Sequence, residues 1–596
     1  MFQSFDSPTH PDQGPARLND LRAEMLRDGL DGFLVPRADA HQGEYVSPHD
    51  DRLAWLTGFT GSAGFCAALH DKAGVFIDGR YRVQVKAQVA PEFTPVHWPE
   101  IKLGDWLAEN VSDGVVGLDP WLHTLSEIEA LEKRLKRTRV TLREVENLVD
   151  RIWQDQPARA AEPAFKYPPE LAGEGDETKR ARIAKLLKDA GHRAAVLTLP
   201  DSICWLLNIR GADIARNPVV QAFAILHDNG QVQLFSDPAK FADLGPDPDI
   251  DLHPWEDFDA ALAQLQGPVR VDKTSAPLAV TRILQGAKIQ IVYGDDPCVL
   301  PKACKNATEI AGTTEAHLRD AAAMVEFLTW LDTEAPKGNL SEIDVVTSLE
   351  GFRRATNVLR DISFDTICGA GPNGAIVHYR VTRETSRAIQ PGELLLVDSG
   401  GQYLDGTTDI TRTVAIGAPT EEQQHCFTRV LKGMISVSRA RWPKGLTGRD
   451  LDPLARIALW RAGQDYDHGT GHGVGTFLSV HEGPQRISRA SDVPLQPGMI
   501  LSNEPGYYRE GEFGIRIENL VVVNPAPALP GADAREMLAF DTLTWVPIDR
   551  RLIVADMLDS DERAWLNTYH TDIITKISDR LSDAARAWLI SATAEI

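Results

Sequence analysis

Apolar residues recur at helical spacing in RLNDLRAEML, from Arg17, and then crowd into GFLVP at Gly32–Pro36, which predicts an amphipathic helix followed by a buried strand. The same succession returns from Arg180 in RARIAKLLKDAGHRAAVLTLP. Each copy continues with a Trp-Leu element, Trp55-Leu56 or Trp205-Leu206. Two apolar runs then flank a turn, His70-Asp71-Lys72-Ala73-Gly74 in one copy and His227-Asp228-Asn229-Gly230 in the other. A duplicated α/β unit is therefore expected, its copies separated by the polar, proline-rich QDQPARAAEPAFKYPPELAGEGDETK. A second boundary is expected near residues 300–312, where ATEIAGTTEAHLRDAAAMVEFLTWLDTEA reads as one long helix, with Ser341 placed to cap the next. Beyond it, short apolar runs joined by Gly, Asp-Gly and Pro turns alternate with helical segments, as in a sheet-centred α+β domain. The expected division is residues 1–160, 161–310 and 311–596.

Composition narrows the function. Sixty-two basic against 85 acidic residues give a net charge of −23, which disfavours a nucleic-acid backbone or an anionic membrane as partner. No apolar leader and no uncharged run long enough to span a bilayer is visible, so a cytoplasmic protein is expected. Six cysteines without a CxxC pair argue against a disulfide framework or a structural zinc site. The Asn306-Ala307-Thr308 sequon is disfavoured for want of a secretory signal.

Candidate chemistry gathers in the last domain. In DHGTGHGVGTF, from Asp467, His468 and His472 stand four apart, but the interleaved glycines forbid the helix on which such a pair would share a face. A loop or irregular strand is predicted. Nearby, ELLLVDSGGQYLDGTTDITRTVAI places Asp398 at the end of one apolar strand and Asp409 at the start of another. MILSNEPGYYREGEFGIRIENLVVVN places Glu504 after a strand, stopped by Pro505, and Glu518 inside what reads as a strand over 514–523. A carboxylate in such surroundings is costly unless protonated, paired or metal-bound. Two divalent cations would balance the four carboxylates, with His472 as nitrogen ligand. Such a donor set suits Mn²⁺, Co²⁺, Fe²⁺ or Zn²⁺ and a hydrolase that activates water.

Asp398, Asp409, His472 in GTGHGVG, Glu504 in NEPG and Glu518 in GIRIEN together resemble the ligand set of the pita-bread metallopeptidases, the group that includes methionine aminopeptidase, prolidase and aminopeptidase P. The segments VHYR around His378, HEGP around His481, HQGEYVSPHDDRLAWLTGFTGSAG, WLLNIRGADIARNPV and FDTLTWVPIDRRLI are similar to the three-domain, cytosolic type of X-Pro aminopeptidase, over nearly the whole chain. The resemblance implies two creatinase-like N-terminal α/β domains followed by a pita-bread catalytic domain, working as a homodimer on short peptides with a penultimate proline. It also implies two metal ions, manganese before zinc or cobalt. Asp409 and Glu518 would bridge them, Asp398 would complete one site, and His472 and Glu504 the other, Glu504 also accepting the proton of the attacking water. His378 and His481 would assist at the substrate carbonyl, with His468 lining the proline pocket. Arg516 and Tyr508 would orient ligands or substrate, an ion pair across strands being the alternative for Arg516.

Three other readings compete. A prolidase would share the metals and differ in recognising a dipeptide's carboxylate. A creatinase works without this metal set, and a binding module on the same fold would have lost the ligands. The apolar stripe Trp565, Tyr569, Ile573, Ile577 and Leu581 near the C-terminus fits either a dimer interface or packing within its own domain.

Overall fold

The computed structural model describes every residue except Pro8. It contains two compact units, Pro8–Lys302 and a second formed by Met1–Ser7 with Ala303–Ile596.

The duplication is visible in the topology of the first unit. One six-stranded sheet runs Thr94–His97, Ala73–Ile77, Phe65–Leu69, Gly32–Pro36, Asp113–Leu118, Arg139–Glu144. The other runs Ile250–His253, Val232–Phe235, Phe223–His227, Ala194–Leu197, Val269–Val271, Ile291–Tyr293 in the equivalent order. Both have an antiparallel centre and parallel flanks. The apolar face of the first helix, Gly14–Asp28, buries Leu18, Leu21 and Met25; its counterpart, Asp176–Asp189, buries Ile183, Ala184 and Leu187. The proline-rich connection lies along the surface but is pinned where Phe165-Lys166 pairs with Ile209-Arg210.

In the second unit Asn306 caps the helix Ala307–Glu334 and Ser341 caps Glu342–Arg354, each through a capping box. Two sheets follow. A three-stranded one carries Leu394–Ser399 between Ile367–Ala370 and Ile410–Ala415. A six-stranded one runs Arg441–Pro443, Met537–Thr542, Asn519–Pro525, Ile500–Asn503, Gly471–Gly473, Glu482–Ile487. The glycine-rich segment thus forms a three-residue strand, with a register shift between His472 and Gly473.

The stretch 514–523, expected as one strand, is two. Phe513–Arg516 closes a hairpin with Gly506–Arg509, and Asn519–Pro525 joins the large sheet, so Glu518 sits at the break. The C-terminal stripe resolves in favour of packing within its own unit. Tyr569, Ile573, Ile577 and Leu581 are buried in the core, and Trp565, half-buried, packs against it. All six cysteines are unpaired.

Candidate metal centre

The seam between the two sheets brings the carboxylates together. Asp398 lies on the central strand of the small sheet, opposite Thr411, and Asp409 immediately precedes the adjoining strand. His472 comes from the bulged strand of the large sheet, and Glu504 follows Ile500–Asn503. Glu518 ties the sheets to each other: its N–H donates to the Thr411 carbonyl (3.1 Å), and its Oε2 accepts from the Thr411 hydroxyl (2.8 Å).

Donor atoms of Asp409, His472 and Glu518 lie within 4.8 Å of one another. The Nε2 of His472 is 3.5 Å from Asp409 Oδ2 and 3.4 Å from Glu504 Oε1. Its Nδ1 is 3.0 Å from the Gly473 carbonyl, which can only accept, so Nδ1 carries the proton and the Nε2 lone pair faces the carboxylates. Lone pairs converging in that way repel unless a metal ion or a proton stands between them.

Asp398 gives a second indication. Its Oδ2 accepts from Arg516 Nη2 at 2.6 Å, whereas its buried Oδ1 has no hydrogen-bond partner. Burial and mutual repulsion push the Asp409 and Glu518 carboxyls well above their ordinary range. Burial, opposed by Arg516, pushes Glu504 up to about 7. Arg516 is the one cation that recurs among the influences on all three acids. The donor set therefore fits divalent cations, oxygen-rich with one imidazole nitrogen.

His481, Arg516, Tyr508 and His468 extend outward from this cluster. The rings of His472 and His481 are 4.3 Å apart and nearly perpendicular. Val377, beside His378, offers its carbonyl to Arg516 at 3.4 Å. Arg516 donates to the Tyr508 hydroxyl at 2.6 Å, and that hydroxyl is 2.8 Å from His468 Nε2. A continuous chain Asp398–Arg516–Tyr508–His468 results. The ion pair offered as the alternative for Arg516 is thus present, and its partner is itself a candidate ligand.

Arg412 is a residue that the sequence motifs do not single out. Fully buried, it donates to the carbonyls of Glu518, Val546 and Pro547, and to Tyr569 Oη on the helix Ser560–Ile577. Its place in LDGTTDITRT, one residue after Thr411, was the available signal.

Comparison with known proteins agrees with the geometry. Residues 311–525 match the model of metallopeptidase family M24, and 536–596 match the C-terminal region of that family. Residues 17–152 and 155–309 each match a creatinase/prolidase N-terminal domain. The chain is 38% identical to a probable Xaa-Pro aminopeptidase P of Coccidioides posadasii, over 100% of this chain and 95% of the other. The chain belongs to metallopeptidase family M24. A Laccaria bicolor protein, also described as a probable Xaa-Pro aminopeptidase P, is 38% identical to this M24 chain over 96% of its length and 92% of the relative's. Among solved structures, the X-prolyl aminopeptidase of Caenorhabditis elegans, described as cytosolic with a di-nuclear active site, superposes with a TM-score of 0.93 at 32% identity. That match covers 98% of the M24 chain and 100% of the nematode one. The fold is that of an M24 pita-bread domain preceded by creatinase-like domains.

Proposed function

We propose that this metallopeptidase removes the N-terminal residue from short peptides whose second residue is proline. The observation that carries the reading is the convergence of Asp409, His472 and Glu518, with Glu504 beside His472 and the unpartnered Asp398 oxygen on the small sheet. An X-Pro bond is a tertiary amide without an N–H, and it samples cis as well as trans. Recognition must therefore use the free amine, the carbonyl and the proline ring.

Asp398, Asp409, His472, Glu504 and Glu518 would hold two divalent cations, manganese being the first to supply, with Asp409 and Glu518 shared between them. Bound there, the cations would supply Lewis acidity and a bridging hydroxide nucleophile at neutral pH. Glu504 takes the proton of the attacking water. His378 and His481 hydrogen-bond the scissile carbonyl and return a proton to the departing proline nitrogen. Arg516 and Tyr508 keep Asp398 and His468 in place, and His468 walls the proline pocket. A cytoplasmic homodimer belongs to the same reading and is checked by light scattering.

The decisive experiment compares Arg-Pro-Pro with Arg-Pro, using chelator-stripped protein resupplied with Mn²⁺. Metal-dependent release of arginine, much faster from the tripeptide, is the expected result. Preference for the dipeptide would make the protein a prolidase, and inactivity on both with metal bound would remove the substrate assignment.

A further inference from the structure

Behind the two neighbouring histidines lies an ion pair that the chemistry above does not use. Lys305, just ahead of the long helix Ala307–Glu334, meets Glu482 across 177 residues of chain, and both side chains are almost wholly buried (1% and 0% exposed). Glu482 directly follows His481 and opens the strand that pairs with the His472 strand, facing Gly473. Its carboxylate reaches under the loop 474–480 that joins the two histidines. A Cβ on Gly475 would stand 3.2 Å from Glu482 Oε2 and 2.8 Å from the Leu478 Cβ. The same loop carries Phe477 at a positive φ of 47° and is held on its other side by Gln402, which donates to the Leu478 carbonyl at 2.9 Å. Lys305 is itself anchored, its N–H donating to the Gly498 carbonyl (3.0 Å) next to the bridge between Cys304 and Met499.

Burying two charges contributes little net stability, because the desolvation cost offsets most of the attraction. A well-packed apolar pair would hold the fold as well. What the charged pair adds is direction: the ammonium draws the buried carboxylate toward it, which restrains the residue after His481. We propose that Lys305 is a positioning residue, which through Glu482 fixes the loop between His472 and His481 and so the seat of the His481 ring over the metal site.

The proposal rests on the peptidase reading, and the test separates the two. In Lys305→Met, kcat on Arg-Pro-Pro is expected to fall roughly 10–100-fold with KM changed less than about twofold, the size seen for groups that orient site residues. Lys305→Arg should recover part of the loss. The double variant K305M/E482M, which removes both charges of this pair, should regain thermal stability without regaining kcat. In an His481→Asn background the Lys305→Met change should cost little more, because its route is already cut.

Wild-type kcat in Lys305→Met, recovery of kcat along with stability in K305M/E482M, or an undiminished loss in the His481→Asn background would each overturn the proposal. If the wild type cleaves neither peptide, the peptidase reading has failed, and carbethoxylation of His481 by diethyl pyrocarbonate, resolved by peptide mass, still reads the positioning. An unchanged rate in K305M/E482M would then refute it, and a changed rate in that stably folded variant would support it.

Discussion

Asp398 divides its two oxygens between separate tasks. Arg516 holds Oδ2, and in the proposed reading the unpartnered Oδ1 is the atom that would bind a cation. Asp398→Asn keeps the volume but removes the counter-charge of a buried guanidinium and one anionic ligand together. Breaking a buried pair from one side costs about 3–5 kcal/mol. The variant should therefore lose that stability in chemical denaturation, bind one metal equivalent less by elemental analysis, and lose at least about 100-fold in kcat. Retention of both metals with full activity would show that Asp398 is no ligand. Tyr569 is a milder case: its hydroxyl bonds Arg412 and the backbone around Thr544 and Val546. Tyr569→Phe should cost about 1–3 kcal/mol, seen as a lower urea midpoint at an unchanged slope. An unshifted midpoint would show that the C-terminal helix does not steady Arg412.

Elements explain why some of this was legible and some was not. Asp398, Asp409 and Glu504 could be picked out because each sits where an apolar run meets Gly or Pro, and His472 because glycines surround it inside a motif that resembles the family's, features written in a few adjacent residues. Ser341 announced the start of its helix for the same reason, whereas the Asn306 cap, read in the sequence only as part of a sequon, shows itself in the structure. Glu518 was placed in a continuous strand because Ile515, Ile517, Leu520 and Val521 look alike to any local pattern; that the chain changes sheets between Arg516 and Asn519 depends on partners far away. Lys305, Arg412 and the link from Tyr508 to His468 are likewise products of pairing between distant parts of the chain, while Arg516 meets Tyr508 across a single hairpin. The bulged strand is testable at this scale. A Cβ on Gly471 would come within 2.0 Å of the Ser502 carbonyl oxygen, so Gly471→Ala must push the His472 strand away from its neighbour. Second-site displacements of this kind cost about 10–100-fold in metal affinity, measurable by competition with a chelator, and Gly471→Ala should show a loss in that range. Unaltered affinity would mean that the bulge is not what aims His472.

At the scale of the whole molecule, the site makes metal, protons and stability one linked quantity. In the unfolded chain Glu504 titrates near 4.5, and in the metal-free fold near 7; Asp409 and Glu518 are raised well above 3.8 and 4.5. Between those values the folded state binds more protons than the unfolded one, so stability falls as pH rises. The penalty is absent below about pH 4, where both states are protonated, and for Glu504 it is complete above about pH 7. Chelator-stripped protein should therefore show a Tm that declines from about pH 5 to about pH 8. Protein loaded with Mn²⁺ should decline less, because cations take the place of the protons and their uptake releases protons to solvent. The net charge of −23 and the raised carboxyl of Asp296 act on both samples alike. The difference between the two curves therefore isolates the metal site. Parallel curves would mean that the four carboxylates move apart when no metal holds them, and that the folded cluster is made by the ions as well as for them.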